Sequence, residues 1–123
     1  MKNLILLAFL FITISANAQL SEKSEWLRAN KEEIYQDIRN EAVREWDGNN
    51  RMIIHFIDTQ SEAFCKFFKE PYKSYAQAKD GTKENTVMLD LISRWHEVRG
   101  EGVYVNYNMI IYGINKHLIN SNY

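Results

Sequence analysis

The sequence has little of what would staple or break a small protein. Its 123 residues include one proline, one cysteine and five glycines. A single cysteine excludes a disulfide-built mini-protein and the Cys-x-x-Cys-His attachment of a c-type haem. So few prolines and glycines exclude a collagen-like or low-complexity chain. Charge of one sign is missing as well: 15 Lys and Arg stand against 16 Asp and Glu, a net charge of −1. There is no basic stripe to hold nucleic acid and no long-range pull toward acidic lipid. A glycine-rich phosphate loop is absent too, because Gly100-Glu101-Gly102 is short and no Lys-Ser/Thr follows it. What is present is 46% hydrophobic residues in a length that fits one small packed domain.

The apolar residues are unevenly spread. Lys2 precedes an uninterrupted, mostly apolar stretch from Leu4 to Ile14, and Ser15-Ala16-Asn17-Ala18 follows. A positive start, a short apolar run and small residues at its end make a secretory signal cleaved after Ala18. The run falls short of the roughly 20 residues a membrane span needs, although an uncleaved N-terminal anchor is the alternative. Removing residues 1–18 leaves 105 of the 123 residues. The expected product is a single domain, 19–123, that is periplasmic or extracellular and not stably inserted in a membrane. In an oxidising compartment Cys65 has no partner within the chain. Among Phe64, Phe67 and Phe68 it reads as a small buried hydrophobe, with a disulfide between chains as the alternative. No His and acid partners at a recognisable spacing make it a nucleophile.

Apolar spacing predicts four helices. The first runs over about 21–46, with Leu27, Ile34, Ile38, Ala42 and Trp46 on one stripe, Ser21 or Ser24 as its cap, and Gly48 at its end. The second, about 49–69, buries Ile53, Phe56, Ile57, Phe64, Phe67 and Phe68 and turns Arg51, His55, Asp58, Glu62 and Lys66 to water. Pro71 stops it, and 70–83 is a polar connection. The third, about 84–98, buries Met88, Leu91, Ile92 and Trp95. The fourth starts near Asn106 and buries Tyr107, Ile110, Ile111, Ile114 and Leu118, with Gly113 as a smooth spot where a backbone can approach. A short extended segment is the alternative for Val103-Tyr104-Val105.

The halves resemble each other. Asn49-Asn50-Arg51-Met52-Ile53-Ile54-His55-Phe56-Ile57 aligns with Asn106-Tyr107-Asn108-Met109-Ile110-Ile111-Tyr112-Gly113-Ile114, and Glu41 to Trp46 aligns with Asp90 to Trp95. Eight extra residues lie between Trp95 and Met109. The expectation is an all-α four-helix bundle of two similar helical hairpins, about 21–69 and 84–120, each burying one apolar face against the other. Trp46 and Trp95 are expected in the core, at equivalent bends.

Chemistry is thinly signalled. His55, Asp58 and Glu62 share one helix face and are weak metal candidates, better read as a salt-bridge ladder with Arg51 and Lys66. The paired Glu-x-x-His of di-iron bundles is missing. His117 with Met52 or Met88 is the one way to hold a b-type haem, but Met in a bundle usually fills gaps, so no cofactor is expected. Tyr72, Tyr75, Tyr104 and Tyr107 concentrate on the two long connections, and Arg99 and Glu101 lie on the second. Tyr and Arg dominate binding hot spots, which makes these six the candidate partner-binding residues. The expected function is a non-enzymatic, exported module that binds another protein, as an inhibitor, an immunity-type neutraliser of a toxin or an envelope accessory factor. A small-ligand or haem-binding bundle and an enzyme with an unrecognised site are the alternatives.

Overall fold

Ser21 opens the first helix by accepting the Ser24 N–H on its hydroxyl at 3.2 Å, which satisfies a donor that the helix start would otherwise leave bare. A computed structural model describes residues 19–99 and 102–121. The helices are α1 (Glu22–Asn30), α2 (Glu32–Glu45), α3 (Asn50–Lys66), α4 (Tyr72–Ala76), α5 (Lys83–Arg94) and α6 (Tyr107–Ser121). A ribbon of β1 (His96–Arg99) and β2 (Gly102–Val105) stands between α5 and α6. The chain is thus mostly helical, as expected for an all-α fold. The expected signal, residues 1–18, lies outside the described residues. No helix among the described residues is long and apolar enough to cross a membrane.

Two expected helices are shorter than their apolar spacing implies. The first is divided at Lys31, whose backbone leaves the helix at φ −135° and ψ 61°. Asn30 helps to end α1 by donating from its side-chain amide to the Trp26 carbonyl at 2.9 Å, the local competition that makes Asn a poor helix interior residue. The third ends at Arg94, not Val98. Here the alternative expected for 103–105 is what forms: an antiparallel ribbon with His96 opposite Val105, Glu97 opposite Tyr104, Val98 opposite Val103 and Arg99 opposite Gly102. Its β-branched and aromatic residues suit a pleated, half-buried surface.

The long helices pair as α2 with α3 and α5 with α6, and α3 meets α6 between them. Helix α1 lies across α2 and α3, while α4 rests on α5 and α6. The buried apolar residues form two clusters, not one core. Leu27, Tyr35, Ile38, Ala42 and Ile57 make the first. Tyr75, Leu91, Ile110 and Ile114 make the second. A polar bridge joins α3 to the start of α6. Gln60, 4% exposed, donates to Asn106 Oδ1 at 3.0 Å and accepts the Asn108 N–H at 3.3 Å, so this buried amide is paired through both its nitrogen and its oxygen.

The two bends share one hydrogen-bond frame. The Trp46 N–H bonds to the Ala42 carbonyl at 2.9 Å, and the Trp95 N–H to the Leu91 carbonyl at 3.0 Å. The carbonyls of Trp46 and Trp95 then accept the N–H groups of Asn49 and Asn106, both at 2.8 Å. Each Asn caps the next helix by accepting the N–H of Met52 or Met109 at 3.2 Å. In the first bend Asp47-Gly48 closes the frame, with Gly48 at φ 81°, a left-handed conformation that costs glycine little. In the second the whole ribbon is extruded from the same closure.

Four residues sit differently from expectation. Phe68 is 54% exposed, because α3 ends at Lys66 and Phe68 lies in the turn beyond it, its ring edge-on to those of Trp26 and Phe64. Trp46 is 38% exposed and Trp95 is half-buried at the edge of the second cluster, because each caps the end of a helix where the backbone turns away. Ile92 is 39% exposed, having rotated off the buried stripe of α5. Gly113 does admit a close neighbour, but it is a side chain: a Cβ there would lie 2.3 Å from Leu91 Cδ2.

Candidate functional site

Helix α2 carries Glu33, Asp37, Glu41 and Glu45 at every fourth position, which puts all four on one face. Like charges at that spacing repel by a few tenths of a kcal/mol per pair. The carboxyl end of α2 meets β2 of the ribbon. Tyr104 is buried there at 9% exposure, its ring 6.0 Å from that of Phe56. Cross-strand pairing sets Glu97 beside Tyr104.

These elements enclose a recess of about 320 Å³ at the end of the helices. Trp46 and Trp95, one from each bend, form its aromatic walls together with Phe56 and Tyr104. Glu41, Glu45 and Glu97 supply its carboxylates. The Tyr104 hydroxyl is held well above its ordinary pKa by burial first and then by Glu41, Glu45 and Glu97. Those three carboxylates therefore act on one spot. Arg94 reaches the rim, where its Nε is 3.2 Å from Asp90 Oδ2. Farther along α2, Tyr107 is pushed up to about 12 by burial and then by Asp37. Burial, with Glu33 second, raises Asp37 itself.

The expected partner-binding residues separate into two groups. Tyr104 lines the recess. Arg99 ends β1 opposite Gly102, and Glu101 lies outside the described residues. The other three tyrosines hold the fold together. Tyr107 packs its ring 5.1 Å from Phe64. Tyr72 donates its hydroxyl to Asn115 Oδ1 at 2.6 Å. Tyr75, 5% exposed, places its hydroxyl 2.6 Å from His117 Nδ1.

The weak metal set does not converge. His55 and Glu62 are exposed, whereas Asp58 accepts the Ser21 N–H at 2.9 Å and the Ser24 hydroxyl at 2.6 Å. The acid read as part of a solvated ladder thus ties α1 to α3. Among the described residues no three His, Cys, Asp or Glu side chains gather as a metal site. His117 faces Tyr75, and Met88 packs on the second cluster. Burial pushes the Cys65 thiol up, Lys23 opposing and Glu62 adding to the shift, so little thiolate exists at neutral pH.

Sequence reasoning missed Glu41, Glu45 and Glu97 as site residues. The four-residue spacing of acids on α2 was a legible signal for the first two. Nothing short of the strand register places Glu97 beside them. No family model, curated protein or solved structure matches this chain.

Proposed function

We propose that the chain is an exported module that binds another protein through its β-ribbon and the recess beneath it. In this reading residues 1–18 are removed on export, and α2, α3, α5 and α6 serve as the two hairpins of a four-helix scaffold that displays the ribbon. The observation that carries it is the ribbon's redundancy for the fold. The same Trp–Asn closure is made with two residues in the first bend, so eight further residues in the second exceed what the bend needs. Added loop length costs little stability, and connections on rigid scaffolds commonly carry binding.

The ribbon's two faces support the same reading. Tyr104 turns inward to the recess, while the cross-strand pair Val98 and Val103 is 69% and 45% exposed. Apolar residues paired on an outer strand face are costly to leave in water and gain when a partner covers them. The test is capture of a partner by the tagged protein, purification of that partner, and titration against wild type and Val98→Asp/Val103→Asp. Binding weaker by about thirtyfold or more, the scale of a hot-spot loss, is expected. Equal binding by both proteins would overturn the reading.

A further inference from the structure

Antiparallel pairing fixes where each backbone group of the ribbon points. The Asn106 N–H bonds to the Trp95 carbonyl, one place before the pair His96 and Val105. Hydrogen-bonded and non-hydrogen-bonded pairs alternate along such a ladder. Glu97 and Arg99 therefore bond inward, to Tyr104 and Gly102, while His96 and Val98 turn their N–H and C=O groups to the outer edge. That edge is open. β2 lies against α2, whereas β1 has no extensive contact with any described element but β2, and His96, Glu97 and Val98 are all exposed.

An open strand edge is a template for another strand, which proline, a bulge or charge commonly blunts. Charge blunts an edge against its own copy only where like meets like. β1 has no proline and carries one charge of each sign about a central valine, Glu97-Val98-Arg99. Turned end for end against itself, with Val98 opposite Val98, it sets Glu97 of each copy opposite Arg99 of the other. Opposite charges facing across strands stabilise their pairing. The register with Glu97 opposite Glu97 sets like charges together and is disfavoured. Glu97 is already engaged within its own chain, and a carboxylate accepts several hydrogen bonds, so the facing Arg99 adds to that engagement.

We propose that the outer edge of β1 pairs with the same edge of a second copy, antiparallel about a two-fold axis at Val98, to give a four-stranded sheet. The symmetry makes each contact occur twice. The two Val98 residues exchange two backbone hydrogen bonds, and two Glu97–Arg99 pairs flank them. Val98, 69% exposed in the single chain, gains a valine on its open side. Val103, Val98 and their two copies then form one row on one face of the sheet, which doubles the apolar surface of each ribbon. The contact is small, so the dimer is weak and concentration-dependent. The inference goes beyond the partner-binding reading and does not depend on it.

The experiment is sedimentation velocity of the purified protein from about 10 µM to about 1 mM, with reductant present so that Cys65 cannot link chains. The mean mass should rise from one chain toward two. Glu97→Arg sets like charges opposite each other at both symmetric sites and should weaken association at least roughly fivefold. Arg99→Glu should do the same. Glu97→Arg/Arg99→Glu restores opposite charges and should return association to within about twofold of wild type. Val98→Pro removes only an outward N–H, which an edge strand tolerates. It should keep the circular dichroism of wild type and lose roughly tenfold or more in association. A mass that stays at one chain up to about 1 mM would overturn the proposal. So would single reversals that leave association unchanged, or a double reversal that associates no better than either single one. None of these results touches the ribbon's role toward a partner, which is read separately from Val98→Asp/Val103→Asp against the purified partner.

Discussion

The two Trp–Asn bends close with the same hydrogen bonds and pack with opposite side-chain sizes. One turn before its Trp, the first half has Ala42 and the second has Leu91. Four residues after the shared Met, the first has Phe56 and the second has Gly113. Small and large have exchanged sides. Phe56 is free to leave its hairpin and meet Tyr104 of the ribbon, whereas Leu91 fills the space above Gly113. A backbone frame can therefore be kept while the side chains on it are assigned to different tasks. In the first half they floor a recess, and in the second they seal a hairpin.

The comparison breaks most visibly at Leu91. Leu91→Ala should cost about 2–5 kcal/mol by denaturant unfolding, as buried leucines do. Gly113→Ala should cost about 1–3 kcal/mol through overpacking against Leu91. Leu91→Ala/Gly113→Phe, which installs the sizes of Ala42 and Phe56, should recover most of the larger loss. Strictly additive losses would show that the two hairpins are not interchangeable.

The caps give the next largest effect. Asn49→Ala removes one cap and should cost about 1 kcal/mol. Asn106→Ala also strips the acceptor from buried Gln60, so it should cost about 1 kcal/mol more. Equal losses at the two positions would remove Gln60 as the tie between α3 and α6.

A further effect is a pH dependence. Tyr104 and Tyr107 both have pKa values above the ordinary 10, Tyr107 at about 12. The folded state thus keeps protons that the unfolded chain releases. Their contribution is fully present below the ordinary value and is lost as pH rises from about 10 to 12. Stability should fall across that window, and Tyr107→Phe should reduce the slope. A slope unchanged by that substitution would mean that Tyr107 is not held in its neutral form.

Much of this fold was legible in the spacing of its apolar residues, and the site was not. Leu27, Ile38, Ala42, Ile57, Leu91, Ile110 and Ile114 are buried where helical periodicity puts them. The breaks at Lys31 and Arg94 escaped because neither carries a Gly or Pro. One lies beside the Asn30 side-chain bond to the Trp26 carbonyl, and the other depends on a strand partner nine residues on, Val105 opposite His96. Trp46 and Trp95 each end an apolar stripe, but a residue that caps a helix end projects where the backbone turns away. The recess needs β1 and β2 in register, and no local pattern shows that Glu97 will stand beside Tyr104.

The most direct test removes the ribbon. Replacing residues 96–105 by Asp-Gly turns the second bend into a copy of Trp46-Asp47-Gly48-Asn49. Tyr104 and Val105 are packed, so their loss should lower stability by about 2–4 kcal/mol. The shortened chain should be a helical protein that still unfolds cooperatively and no longer binds the partner captured by wild type. A shortened protein that binds that partner at full strength, or one whose helices do not form at all, would contradict it.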